Sequence, residues 1–162
     1  RYDMGDLVRV TGFAGRTPRM VFVGRAGAEL SAVGERVTEP QLQRAAALAC
    51  PGATHVSACI AWAEVPHLRV LVGLPTANAP AGPFASGEFD AALARENLEY
   101  ADRRESGRYA PPELLLLPET VWERWRERRV RAGAPEAQLK DPIVVEAALH
   151  AELLALAGTE PR

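Results

Sequence analysis

The feature that most constrains the fold is a pair of neighbouring β-rich runs in the first half of the chain. Residues 54–62 are rich in β-formers, and residues 67–74 form a nearly continuous apolar run. Residues 63–66 separate the two runs, which predicts a turn and an antiparallel pair of strands. A further short apolar run at 113–117 is bounded by prolines and predicts a buried strand.

Helical segments are predicted around these strands. The first begins at Thr38 or Glu39, with Pro40 in its first turn, where proline is tolerated. Later helices are predicted at about 87–104 after an N-cap at Ser86, at about 120–131, and at about 143–157. A hairpin is predicted from 7–10 and 20–23, and 75–87 is predicted to be a loop.

The order of these elements indicates an α+β fold. We expect an open-faced sandwich in which a small mixed or antiparallel sheet has helices packed on one side, in a split βαβ-like arrangement. A β-hairpin precedes it.

Charge and hydropathy exclude several classes of protein. The net charge is −2, which argues against a nucleic-acid or membrane-surface partner, since either would need a basic surplus. No apolar run approaches the roughly 18 to 20 residues that span a bilayer. The N-terminus has no signal-peptide core and does not begin with Met, so we expect a fragment or processed chain in the cytoplasm.

Residues that often carry chemistry show no reactive pattern when taken alone. Cys50 and Cys59 are expected to be free, buried thiols. The sequence predicts no metal site, because the three histidines (His55, His67 and His150) lack ligand spacing. Ser57, Cys59 and His67 do not form a recognisable nucleophile arrangement.

The charged helix at 120–131 is expected to be solvated. Its pattern predicts the pairs Glu123–Arg126 and Glu127–Arg131, at helical spacings of three and four residues. Trp122 is expected to pack inward, as is Trp125.

A series of short motifs is more specific than any of its members. Tyr2-x-x-Gly5-Asp6 is followed by the hairpin, by Gly24-Arg25, and by Gly34-x-Arg36-Val37-x-Glu39 leading into a helix. This order resembles the adenylate-forming enzyme superfamily. Over about residues 2–143 the chain resembles the C-terminal part of the auxin-responsive family of acyl-acid amido synthetases. The further segments that carry this resemblance are 96–100, Pro111-Pro112, Trp122 and 138–142.

The resemblance implies a two-step ligase reaction. ATP, with Mg²⁺ that this domain does not bind, activates a carboxylic acid as an acyl-adenylate and releases pyrophosphate. An amino acid or amine then attacks the mixed anhydride, and AMP leaves. Such chemistry needs a ribose anchor, cations near the α-phosphate and a site that excludes water.

The resemblance also assigns site residues. Asp6 would bind both ribose hydroxyls, Arg25 would lie at the hinge between two domains, and Tyr2 belongs to the same cofactor-binding motif. Lys140 would swing over the phosphate on closure, and Arg36 would meet phosphate or carboxylate. These last two are the catalytic candidates.

Lys140 is the only lysine among 19 basic residues. The segment around it departs from the family pattern, since Leu139 replaces a tyrosine, Asp141 a threonine and Ile143 an arginine. The arginine-rich composition suggests a GC-rich bacterial genome.

The resemblance implies a division of the chain. Residues 1–25 would be a remnant hairpin of the large adenylation domain, with the ribose-binding motif, and residues 26–162 would be the C-terminal lid. No Gly-rich phosphate loop occurs in the 162 residues. We therefore expect the chain alone to be inactive and to need an N-terminal adenylation domain as partner. The alternatives are the C-terminal domain of an acyl-CoA ligase and a standalone, non-catalytic α+β binding module.

Overall fold

The described part of the computed structural model covers residues 6–25, 29–75, 82–84 and 86–158, and it contains eight strands, five α-helices and a short 3-10 helix at Glu136–Gln138. The strands are β1 (Asp6–Ala14), β2 (Thr17–Arg25), β3 (Glu29–Leu30), β4 (Val37–Thr38), β5 (His55–Ala61), β6 (His67–Leu74), β7 (Gly82–Phe84) and β8 (Glu113–Pro118). The helices are α1 (Glu39–Ala49), α2 (Gly87–Glu96), α3 (Leu98–Glu105), α4 (Thr120–Arg131) and α5 (Ala147–Leu156).

The strands form three sheets. β1 and β2 pair as the antiparallel hairpin that the sequence predicts, and β3 pairs with β4. The central sheet has the order β5-β6-β8-β7 and is mixed, because β6 runs parallel to β8 while the two outer pairs are antiparallel. The α+β class and the N-terminal hairpin are therefore confirmed.

Two details of the architecture differ from the expectation. Helices cover both faces of the central sheet rather than one, because alternate side chains of β6 point to opposite faces and buried apolar residues occur on both faces. Val70 and Val72 pack in one core with α1, α2 and α3, whereas Leu71 packs in a second core with α4 and α5. In addition, β6 and β8, the parallel strands that α2 and α3 connect, are direct neighbours in the sheet. No other strand lies between them, as a split βαβ arrangement would require.

Helix α1 begins as its sequence predicts. Thr38 forms a capping box with Gln41, whose side-chain oxygen accepts a hydrogen bond from the Thr38 N–H at 3.0 Å. Pro40 lies in the first turn, and the apolar face formed by Leu42, Ala45, Ala46 and Ala49 is buried.

The helix predicted at 87–104 is two helices, because Asn97 interrupts it. The Asn97 side chain accepts a hydrogen bond from the Tyr100 N–H at 2.9 Å and so caps α3. Its Nδ2 donates to the carbonyl of Arg36 at 2.8 Å. Leu98, the first residue of α3, is 82% exposed.

The predicted loop and last helix also have different bounds. β7 lies within the predicted loop and pairs with β8. The last helix begins at Ala147 rather than near residue 143, since Val144 forms a parallel bridge with Ala58 of β5. The inward packing of Trp122 and Trp125 is confirmed.

Within the described ranges, none of the helices combines the length and apolarity that crossing a lipid bilayer would require.

Because His150 is buried, we expect the free energy of unfolding to depend on pH. Burial, and then the charge of Arg69, lower the pKa of His150 from its ordinary 6.5. The unfolded chain therefore binds this proton more readily, so the stability contributed by neutral His150 is present above about pH 6.5 and lost as pH falls. We expect the difference in unfolding free energy between wild type and His150→Gln to shrink between about pH 7 and 5. Urea titrations at several pH values measure this difference, and a constant value across that range would contradict the prediction.

Candidate functional site

Lys140 lies in a segment that belongs to no helix or named strand, residues 139–145, which we call the Lys140 strap. Leu139 packs against the second core, Lys140 is exposed, and Asp141 is half-buried. Within the described part of the chain, Lys140 has no ion-pair partner.

The backbone of the strap is bound to the edge of β5. The Ala58 N–H donates to the carbonyl of Ile143 at 2.7 Å, and the Val145 N–H donates to the carbonyl of Ala58 at 2.9 Å. These two bonds flank the parallel bridge between Ala58 and Val144. The strap thus adds a short strand segment to the central sheet.

Side chains hold the strap next to Lys140. Arg126 of α4 donates from Nη2 to Oδ1 of Asp141 at 2.5 Å. Nε2 of His55, the first residue of β5, lies 3.3 Å from the other carboxylate oxygen. The carboxylate of Asp141 therefore joins a helix and a strand to the strap.

A second set of contacts involves Trp122. Its Nε1 donates to the hydroxyl of Ser57 at 2.9 Å, and that hydroxyl donates to the carbonyl of Pro142 at 2.5 Å. The Trp122 ring stacks on His55 with a centroid distance of 5.1 Å. The partner of His55 across the sheet is Gly73, where an added Cβ would lie 2.9 Å from the His55 Cβ and 3.0 Å from Trp122.

An open groove of about 300 Å³ runs beside Asp141. It lies between the last turn of α1, the start of β5 and the strap. Lys140 itself is not among the residues that line the groove; it precedes Asp141 and is exposed.

Arg36 follows a tightly organised turn. The buried carboxylate of Glu35 accepts hydrogen bonds from the N–H groups of Ala32 and Val33, both at 2.8 Å. Gly34 has a φ of 94°, which favours glycine. The Arg36 side chain itself is 73% exposed, and its Nε lies 3.8 Å from Glu29. The turn thus fixes the Arg36 backbone and leaves its guanidinium in solvent.

The structure does not bring Arg36 and Lys140 together. Arg36 precedes the first turn of α1, whereas the groove beside Asp141 reaches the last turn of α1. Helix α1 has 11 residues, a length of roughly 16 Å. The two catalytic candidates therefore lie toward opposite ends of this helix.

The remaining candidates lie on or before the hairpin. Asp6 is the first residue of β1 and faces Arg25, the last residue of β2, across the ladder. Tyr2 lies outside the described residues. The hairpin also exposes apolar side chains, since Val8, Val10 and Met20 are each at least half exposed.

The cysteines and Ser57 lie in surroundings that explain them as structural residues. Both cysteines are free and buried, as expected, and burial raises the pKa of the Cys59 thiol to about 11. The hydroxyl of Ser57 is engaged by Trp122 and Pro142. Among the described residues, no group of three or more His, Cys, Asp or Glu side chains is placed to hold a metal ion.

The contacts of Arg126 are the part of the site that the sequence pattern missed. Of the two ion pairs predicted on α4, Glu127–Arg131 is present at 3.0 Å, but Arg126 binds Asp141 instead of Glu123. The local spacing favours the neighbour on the same helix, whereas Asp141 lies 15 residues further along the chain. No sequence signal marks this pair.

Two models of known protein families match parts of this chain. A family model described as the GH3 family C-terminal domain matches residues 41–148, and one described as the GH3 family central domain matches residues 1–25. Among curated proteins no relative matches.

Two solved structures show the same fold. One is described as GH3.15 acyl acid amido synthetase, with a TM-score of 0.74 over 96% of this chain at 18% identity. The other is AtGH3.15 acyl acid amido synthetase in complex with 2,4-DB, with a TM-score of 0.70 over 95% of this chain, also at 18% identity. The chain spans 29% and 30% of their lengths, respectively.

The close approach of Gly73 to His55 and Trp122 predicts that a larger residue at position 73 destabilises the fold beside the Lys140 strap. Gly73→Ala would force the stack of His55 on Trp122 apart, at a cost of about 1 to 3 kcal/mol in unfolding free energy. Gly87→Ala is a matched control, because an added Cβ there meets no atom within 4 Å. Equal stability of the two variants in urea titration would show that the stack does not need the glycine.

Proposed function

We propose, because this chain belongs to the GH3 family, that it is the C-terminal lid of an ATP-dependent acyl acid amido synthetase. The observation that carries the proposal is the Lys140 strap, which holds the only lysine of the chain on an anchored backbone with its side chain exposed. The complete enzyme would include an N-terminal adenylation domain that supplies the acyl pocket and phosphate loop. The lid alone would be inactive.

The proposed reaction has two steps. A carboxylate oxygen of the acyl acid attacks the α-phosphorus of ATP, and pyrophosphate leaves. The nitrogen of an amino acid or amine then attacks the acyl carbon, AMP leaves with the electrons of the broken C–O bond, and the nitrogen loses a proton. The second step must be protected from water, which would hydrolyse the anhydride.

Each candidate residue has a role in this proposal. The ammonium of Lys140 would lie against the α-phosphate when the lid closes and would stabilise the charge that develops there. Asp6 would accept hydrogen bonds from the ribose hydroxyls, with Tyr2 in the same motif. Arg25, opposite Asp6 in the hairpin, would mark the hinge.

Arg36 and Lys140 would act at different moments. They lie toward opposite ends of α1. A single orientation of the lid therefore cannot place both on the same phosphate, and exchanging one for the other would need a large rotation of the lid. Arg36, already exposed, would meet a phosphate or carboxylate in the other orientation. ATP would bring Mg²⁺, to which the proposal assigns no ligand from this chain.

The division of the chain is part of the proposal. Residues 1–25 match the central-domain model, which supports a hairpin that belongs with the preceding domain. Residues 26–162 would form the lid. The exposed apolar side chains of the hairpin are consistent with packing against that domain.

The function is tested with the synthetase that contains this chain. We expect ATP–pyrophosphate exchange with at least one member of a panel of carboxylic acids, and an amide product when amino acids or amines are added. A thioester with CoA in place of the amide would support an acyl-CoA ligase. Binding of ATP without exchange for any acid would contradict the proposal.

The role of Lys140 is tested by Lys140→Ala in the same enzyme. Loss of a preorganised charge at the reacting phosphate is expected to lower kcat for exchange by about 10²- to 10³-fold. Lys140→Arg should recover part of this loss, because charge is kept but the geometry changes. Arg131→Gln, which removes an exposed pair on α4, is the control and should leave kcat unchanged. An unaltered kcat in Lys140→Ala would remove the role.

A further inference from the structure

We infer that Asp141, Arg126 and His55 form a clasp that positions Lys140. The inference rests on the proposed function, in which Lys140 contacts the phosphate. It concerns positioning residues, since none of the three would touch the reacting atoms. The clasp is formed by the carboxylate of Asp141, which lies between Nη2 of Arg126 and Nε2 of His55 at 2.5 and 3.3 Å.

The clasp joins three separate elements next to Lys140. Arg126 comes from α4, His55 from the start of β5, and Asp141 from the strap. All three side chains are partly shielded, with exposed fractions of 37%, 17% and 30% respectively. Both carboxylate oxygens are thus engaged from two directions, which restricts rotation of the Asp141 side chain.

The supports of the clasp are themselves held in the core. His55 stacks on the fully buried Trp122, and its Nδ1 lies 2.9 Å from the Thr54 hydroxyl. Arg126 lies one residue after Trp125, which is buried in the second core. The clasp is therefore built on rigid elements, as precise positioning of a functional group requires.

The clasp controls a part of the strap that the other contacts do not reach. The backbone bonds to Ala58 hold Ile143 and Val145, and Ser57 holds Pro142. On the other side of Lys140, Leu139 is held by packing and by its N–H, which donates to the carbonyl of Glu136 at 3.1 Å. Of the two residues next to Lys140, Asp141 is therefore the one anchored through a polar side chain. Its loss would let Lys140 move while the sheet edge stays paired.

The first test measures motion in this chain and does not depend on activity. In Asp141→Asn and in Arg126→Gln, the order parameter of the Lys140 backbone amide is expected to fall from about 0.85 toward 0.6 by ¹⁵N relaxation. Hydrogen exchange at the Ala58 and Val145 amides should stay as in the wild type, which shows that the fold is intact. Arg131→Gln is the matched control on the same helix. An unchanged order parameter for Lys140 in both clasp variants would overturn the inference.

The second test measures exchange kinetics in the synthetase that contains this chain. Asp141→Asn is expected to lower kcat by about 10- to 100-fold, because small displacements of a catalytic group are costly, with KM for ATP nearly unchanged. In the Lys140→Ala background the same change should have no further effect. Arg126→Lys should recover part of the activity lost in Arg126→Gln, since it keeps a charge for Asp141.

The outcomes separate the clasp from the proposed function. Equal losses from Asp141→Asn with and without Lys140 would show that Asp141 does not act through Lys140, which overturns the inference. If the wild-type enzyme catalyses no exchange, or if Lys140→Ala has full activity, the proposed function or its lysine fails. The order parameters then still decide whether the clasp holds Lys140.

Discussion

The parallel strand pair β6 and β8 carries buried apolar side chains on both faces, and the need to cover both shapes the rest of the molecule. Val70 and Val72 face α1, α2 and α3, while Leu71 and Leu117 face α4 and α5. Burial of such surface supplies the main favourable free energy of folding. Because alternate residues of a strand point to opposite faces, one helical layer cannot cover both sets.

Trp122 connects this packing to the candidate site. Its ring is fully buried in the second core, and a buried indole N–H needs a hydrogen-bond partner. That partner is Ser57, which in turn binds the carbonyl of Pro142. The position of the Lys140 strap thus follows from core packing. In the proposed function the strap would bring one ammonium to a phosphate, and such support would reduce the order lost on binding.

Local patterns were sufficient for most elements, and they failed where long-range contacts decide. The β-rich runs, the capping box of α1 and the buried tryptophans all follow from the chemistry of near neighbours. The break at Asn97 does not, because the side chain of that residue binds the carbonyl of Arg36, 61 residues away. Helix α5 begins later than its local pattern predicts for a similar reason, since Val144 pairs with Ala58. Motif resemblance led to Lys140 and Arg36, but their separation along α1 could not be read from spacing.

Periodicity and motif order predict the α+β class, the hairpin and the resemblance to acyl-acid amido synthetases, and they single out Lys140 as a candidate. These properties depend on residue types and on neighbours within a few positions. The coverage of both sheet faces and the anchoring of the strap depend on tertiary structure. Ser57 and Pro142 are 85 residues apart, and they meet only because the strap lies along the edge of β5. Arg126 pairs with Asp141 and not with Glu123 for the same reason, since the fold brings α4 and the strap together.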